Sequence, residues 1–281
     1  MTPIEIAFLW LAFAGLAASA VLFGYEWLLR RPTFISPKWV ISVSGVVLLA
    51  SVVARALTGG GHLFTGTFQL VYAAVATIAF FFVTEISLKM RGFGTFFAAV
   101  AAVLVALAQI TLGAVPVATA DAETAALVYN GGTWFHVSLI TVASVMFLVA
   151  ALTSGLYMYQ GRALKRNATS LLSRRLPSLA SLERMSSRAV RIGLPFYLAG
   201  QLLGALRAAV AAPETWWYDR VIMLSGIVSL VYLGYVVMYA RQKASGQATA
   251  WVAVLGGVLV IVLAIMARLF PPAFHIFGSV S

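Results

Sequence analysis

The run WFHVSLITVASVMFLVAALTSGLYMY, residues 134–159, is almost entirely apolar and has one histidine, His136, near its start. About 20 apolar residues are enough to cross the hydrocarbon core of a bilayer, so this run predicts a transmembrane helix. Stretches of the same character occur at residues 4–29, 39–58, 64–88, 93–113, 192–212, 221–240 and 249–270. We therefore expect an all-α, polytopic membrane helix bundle of about eight transmembrane helices, forming a single membrane domain over residues 1–281.

The composition favours the same class of protein. Of the 281 residues, 62% are hydrophobic and only 10% are charged, whereas charged residues make up about 25% of a soluble domain. This composition excludes a disordered chain, a water-soluble enzyme and a nucleic-acid partner. It indicates that the chain is surrounded mainly by membrane lipid. Cysteine is absent, so the chain has no disulfide, thiol redox step or Cys-ligated metal.

The basic residues predict the orientation of the chain. Fifteen of the 19 Lys and Arg residues fall in the loops that follow odd-numbered predicted helices. Since basic loops stay on the cytoplasmic side, these loops are expected inside and both termini outside, in a bacterial cytoplasmic (inner) membrane. The exceptions lie near the outer ends of helices, and they are Arg55, Arg207, Arg220 and Arg268.

Two loops stand out. Residues 160–191 interleave leucines and Met185 with arginines, which indicates an amphipathic helix lying on the inner leaflet. The alternative is a solvated basic loop. On the outer side, residues 211–220 read AAPETWWYDR and form a short tryptophan loop.

The chain has three histidines, and the predicted topology places all of them at the outer face. His62 lies in a loop, where histidine is most often a polar surface residue. His136 opens a long apolar run, and an ionisable group there is a candidate functional residue. Its alternative is an interfacial histidine bonded to a loop carbonyl. His275 follows the last helix within PPAFHIFG, among aromatic residues.

Imidazoles in an apolar, aromatic setting without cysteine fit haem better than zinc. Haem needs one or two axial imidazoles and apolar walls, whereas zinc lacks a third good ligand unless His62 joins. The guanidinium groups of the four outer arginines match the propionates of a haem. Taken one at a time, each arginine is more easily explained by its side chain reaching lipid phosphate.

Gly200, Gly204 and Arg207 share one face of the sixth predicted helix, because they are spaced by four and three residues. A flat macrocycle on this glycine face would have Arg207 at its propionate edge. The commoner explanation of such small-residue spacing is close helix–helix packing.

Several stretches together resemble one family. They are WFHVSLITVASVMFLVAALTSGLYMYQGRALKR, LPSLASLERMSSRAVRIGLPFYLAGQLLGAL, ETWWYDR and the closing FHIFG. In this order they are similar to the cytochrome c assembly membrane proteins of the CcsA/ResC type, including the HemX-like haem-handling members. The resemblance runs over most of the chain.

The resemblance implies a haem b held between His136 and His275 as axial ligands. It also implies that Trp216, Trp217 and Asp219 cover the haem edge, and that the haem is presented to apocytochrome c outside. Two departures matter. The tryptophan loop is shorter than in the family, and residues 39–58 and 221–240 lack the intramembrane histidine pair of full-function members.

Three functions stay open at this point. The first is a haem-handling protein of cytochrome c maturation, working with other membrane subunits and a c-type cytochrome. The second is a b-type cytochrome subunit of a respiratory complex, passing electrons between quinone and an outer redox partner. The third is a haem-free structural or transport protein. A stand-alone enzyme is the least favoured, because the chain has no paired-carboxylate site and no nucleophile motif.

Overall fold

The computed structural model describes residues 3–29, 31–58, 66–88, 94–110, 131–166, 176–241 and 246–269. Every regular element within these ranges is helical, which confirms the all-α prediction. The helices are α1 (Pro3–Leu29), α2 (Pro37–Thr58), α3 (Gly66–Leu88), α4 (Gly94–Ile110), α5 (Gly131–Lys165), α6 (Leu179–Ala211), α7 (Arg220–Ala240) and α8 (Gly246–Leu269). A 3-10 turn, Trp216–Tyr218, precedes α7.

Six of the helices are long and apolar enough to cross a bilayer. Their spanning parts are Pro3–Trp27, Pro37–Arg55, Phe135–Lys165, Leu179–Val210, Arg220–Ala240 and Gly246–Ala267. Two further apolar helical stretches, Leu70–Val83 and Gly94–Ile110, are shorter. The chain is therefore a multi-pass membrane protein, as its hydropathy predicted.

The helices group into two compact units. The first unit contains α1 to α4, in which α1 packs against α2 and α4, and α3 packs against α4. Its core includes an aromatic cluster, in which the Phe81 ring lies 5.4 Å from the Phe23 ring and 5.9 Å from the Phe97 ring. A buried ion pair also joins α1 to α2, with Arg55 Nη1 3.6 Å from Glu5 Oε2.

The second unit contains α5 to α8 packed in antiparallel fashion. Gly193 and Gly200 of α6 lie against Met146 and Ile140 of α5, so the two helices run in opposite directions. α8 packs against α5 and α7, and α7 also packs against α6. The first residues of α5 and α7 therefore lie on the same side of the unit as the last residues of α6 and α8. We call this side the His136 end. The opposite end is called the Glu183 end.

Residues 160–191 differ from the expected helix on the leaflet surface. α5 continues to Lys165, and α6 begins at Leu179 after Ser178, whose hydroxyl accepts a hydrogen bond from Ser181 N. The described part of this segment thus extends two spanning helices. Its amphipathic pattern is real, but the apolar side chains of Leu182 and Met185 are buried within the protein. Residues 167–175 of this loop lie outside the described residues.

Candidate functional site

His136 lies in the second turn of α5 and is held by a backbone group of α6. Its Nδ1 is 2.6 Å from the carbonyl oxygen of Gly200. A carbonyl oxygen only accepts hydrogen bonds, so Nδ1 of His136 is the donor and carries the hydrogen. A histidine whose Nδ1–H is bonded to a backbone carbonyl is the usual arrangement for a metal ligand that acts through Nε2. The acceptor is a helix carbonyl rather than the loop carbonyl of the alternative reading.

The glycines of α6 make this contact close. A Cβ atom at Gly204 would lie 2.6 Å from Cε1 and 2.9 Å from Nδ1 of His136. A Cβ atom at Gly200 would lie 2.9 Å from Cδ1 of Ile140. Both glycines therefore serve helix–helix packing. The idea of a macrocycle lying on the glycine face is wrong, because α5 covers that face.

Arg207 comes one turn beyond Gly204 on the same face of α6 and is half-buried. It lies close enough to His136 for the positive charge of Arg207 to act on the imidazole. The structure thus brings together the imidazole and the guanidinium that the sequence placed in one site. A cation beside a histidine suits a ligand that carries both a metal and a carboxylate.

The tryptophan loop, residues 211–220, is a tight helical connection at the His136 end. Trp216 is half-buried, whereas Trp217 is 64% exposed and meets Tyr218 edge-on at 5.0 Å. Asp219 is the N-cap of α7: its Oδ1 accepts hydrogen bonds from Val221 N at 2.8 Å and Ile222 N at 3.2 Å. The carboxylate of Asp219 therefore has a local structural role as the N-cap of α7.

The remaining candidates are placed differently. Arg220 is the exposed first residue of α7, at the His136 end. Arg55 lies in the first unit and pairs with Glu5. The sequence did not predict this pair, because the two residues are far apart along the chain. Arg268 falls in the last turn of α8, but its side chain is outside the described part of the structure. His62 and His275 both lie outside the described residues.

No cluster of three or more His, Asp or Glu side chains that could hold a metal ion occurs among the described residues. Within them, His136 is the single histidine, so this part of the site contributes one imidazole as a possible metal ligand. One axial imidazole is a sufficient protein ligand for a haem, whereas it is insufficient for a structural zinc. The described part of the site therefore fits haem better than zinc.

The fold and this site define a multi-pass helical membrane protein in which a histidine at one end of the second unit is bonded to a helix carbonyl. The family model of the cytochrome C assembly protein matches residues 63–275. The chain belongs to the cytochrome c assembly protein family, as its resemblance indicated.

Two curated relatives carry the name protein HemX. The one from Brevibacillus brevis is 32% identical over 97 residues, which is 34% of this chain and 36% of the relative. The one from Bacillus subtilis (strain 168) is 27% identical over 115 residues, 41% of this chain and 42% of the relative. The chain thus spans well under half of the length of each relative in these matches. No solved structure matches the chain.

Proposed function

We propose that the protein is a haem-handling protein of cytochrome c maturation, which holds one haem b at the His136 end of its second unit. The observation that carries the proposal is the bond from His136 Nδ1 to the Gly200 carbonyl, because a histidine that binds a metal through Nε2 is usually oriented by such a bond. The family and the HemX relatives support a haem-related role.

The other residues of the proposed site have distinct tasks. His275 provides the second axial imidazole, and Arg207 binds a propionate, with Arg220 and Arg268 near the same end. Trp216 and Trp217 cover the exposed haem edge. Arg55 pairs with Glu5 in the first unit, and its assignment to a propionate stays a prediction. When bound, the haem supplies the iron and its redox chemistry, and the protein supplies position and orientation.

The presentation of haem is proposed to occur on the outer side of a bacterial cytoplasmic membrane. The support is the distribution of charge in the second unit. The exposed Arg184, Arg188 and Arg241 lie towards the Glu183 end. Because basic residues stay inside, the His136 end then faces outward, where apocytochrome c and other subunits of the maturation complex meet it.

A second candidate function is a b-type cytochrome subunit of a respiratory complex. It is favoured by the short tryptophan loop, which amounts to a single 3-10 turn, Trp216–Tyr218. It is also favoured by the lack of histidine in the sequences of α2 and α7, which removes an inner haem site that a relay across the bilayer would use.

The first experiment is an absorbance titration of the purified full chain with haem. We expect a low-spin haem spectrum that is lost in both His136→Ala and His275→Ala, while His62→Ala keeps it as the matched control. Retention of the spectrum in both variants would remove the axial assignment. A wild-type chain without any Soret band would contradict the proposal and support a haem-free structural or transport protein.

A second experiment separates the two haem functions. The haem-loaded protein is mixed with reduced apocytochrome c, and covalent c-type haem is followed over time with the maturation partners present. Transfer supports cytochrome c maturation. A haem that is reversibly reduced but never donated would instead identify the electron-transfer subunit.

A further inference from the structure

The interior of the second unit contains hydrogen-bonded polar side chains where a membrane bundle is expected to be apolar. Near the His136 end, Gln201 Nε2 donates to Ser225 Oγ at 3.1 Å, and the Ser229 hydroxyl donates to Gln201 Oε1. The Tyr197 hydroxyl donates to the Ser225 carbonyl at 3.4 Å. We call these four residues the Gln201 cluster.

A second group lies towards the other end, between α5, α6 and α7. Ser154 Oγ and Ser186 Oγ are 2.8 Å apart, and Ser186 Oγ is 3.3 Å from the Tyr235 hydroxyl. We call these three residues the Ser186 cluster. Glu183, one turn before it on α6, is close enough to Tyr235 for electrostatic interaction and is partly exposed. This cluster therefore has a carboxylate between it and the water at the Glu183 end.

Tyr232 lies between the two clusters. It is fully buried, and its ring stacks on Phe147 with centroids 3.6 Å apart. It is within electrostatic range of both Tyr197 and Tyr235, one member of each cluster. Its hydroxyl has no hydrogen-bond partner among the described residues. A buried hydroxyl without a hydrogen-bond partner costs free energy in a bilayer, so the Tyr232 hydroxyl is expected to bind a further polar group.

Three more buried polar atoms of this unit have no partner among the described residues. They are Thr141 Oγ1, Gln160 Oε1 and Ser187 Oγ, in side chains less than a tenth exposed. Thr141 and Gln160 are separated by roughly 28 Å along α5 at about 1.5 Å per residue. Ser187 adjoins the Ser186 cluster, between these two levels. The atoms that need a partner are thus spread over about the thickness of a hydrocarbon core.

We propose that bound water molecules occupy these positions and join the two clusters into one hydrogen-bonded track through the second unit. A buried water makes about three hydrogen bonds to polar groups that lack partners, which is what Tyr232 and its neighbours provide. Along such a track a proton enters at the Glu183 end as another is passed on, so no bond is gained or lost overall. The track carries solvent protons past Tyr232 to the Gln201 cluster, and it requires no haem.

Internal water is tested by radiolytic hydroxyl-radical labelling of the full chain in nanodiscs, because radicals form on bound water itself. We expect Tyr232 and Phe147 to be labelled despite their burial. Phe81 of the first unit is the control, since it is equally buried among aromatic rings. Labelling of Tyr232 no faster than that of Phe81 would mean a dry interior and would overturn the proposal.

Proton passage is tested by hydrogen–deuterium exchange of tyrosine hydroxyls, followed by infrared spectroscopy on ring-labelled protein in D₂O. The Tyr197 and Tyr235 bands are assigned with Tyr197→Phe and Tyr235→Phe. We expect Tyr232→Phe to slow exchange at Tyr197 at least tenfold while leaving Tyr235 unchanged. The exposed Tyr218→Phe is the control, and Tyr232→Phe keeps the ring that packs on Phe147. Unchanged exchange at Tyr197 would exclude passage through Tyr232.

Discussion

The contact between His136 and α6 depends on the absence of a side chain at one position. Gly204 is the residue that the His136 ring faces, and an added Cβ would come within 2.6 Å of it. The sequence predicted that His136 needs a partner, because an ionisable group at a membrane boundary is costly without one. It did not predict the acceptor, because the acceptor is the backbone carbonyl of Gly200 and every residue has such a carbonyl.

Gly204→Ala is expected to displace the His136 ring and to break its bond to Gly200. Overpacking of this kind costs about 1–3 kcal/mol of stability, and we expect haem affinity to fall at least tenfold as well. Thermal unfolding in detergent and a haem titration measure the two effects. Gly155→Ala on α5 is the matched control, because nothing lies within 4 Å of its Cβ position. Equal stability of the two variants would show that the ring can move at little cost.

Substitutions of Asp219 separate its role as the N-cap of α7 from an effect of its negative charge on haem binding. Asp219→Ala removes the acceptor for Val221 N and Ile222 N and should cost about 1 kcal/mol. Asp219→Asn keeps an acceptor oxygen and should cost only a few tenths of that. Both stabilities are measured by thermal unfolding, with haem affinity alongside. If Asn lowers haem affinity as much as Ala does, the negative charge of Asp219 acts on the haem directly.

At the scale of helices, the apolar runs predicted the elements and most of their ends, but they missed the end of α5 and the start of α6. The apolar runs located all eight described helices, because burial in lipid leaves a long, simple pattern. The amphipathic pattern of residues 160–191 was misplaced on the leaflet. A helix face that packs on a neighbouring helix and one that lies on lipid have the same sequence period, so the pattern alone cannot separate them.

The ion pair between α1 and α2 is a second feature of this scale. Both side chains are almost fully buried, with exposures of 0% for Glu5 and 6% for Arg55. Removing one partner leaves the other charge buried, so Glu5→Gln or Arg55→Met alone should cost about 3 kcal/mol or more. The double variant should recover most of that loss. Thermal unfolding of the four proteins forms the cycle, and additive losses would show that the two groups do not interact.

At the scale of the whole molecule, the sequence predicted the class of protein, whereas the functions of its candidate site residues stay predictions. His136 and Arg207 do lie together, because a histidine-led helix and a glycine-spaced helix must pack closely. The ion pair of Arg55 was missed, since its partner is far away in the sequence. The hydrogen-bonded polar clusters of the second unit were also missed, because serine and tyrosine at scattered positions resemble ordinary helix surface until the helices are assembled.

The orientation of the molecule can be tested with unusual clarity, because the chain has no cysteine. Arg184→Cys and Arg220→Cys introduce single thiols at exposed positions at the Glu183 end and the His136 end. Since basic residues stay inside, a membrane-impermeant maleimide should label Arg220→Cys in intact cells and Arg184→Cys only after permeabilisation. The cysteine-free parent gives the background. The reverse pattern would place the His136 end in the cytoplasm, where apocytochrome c could not receive haem from it.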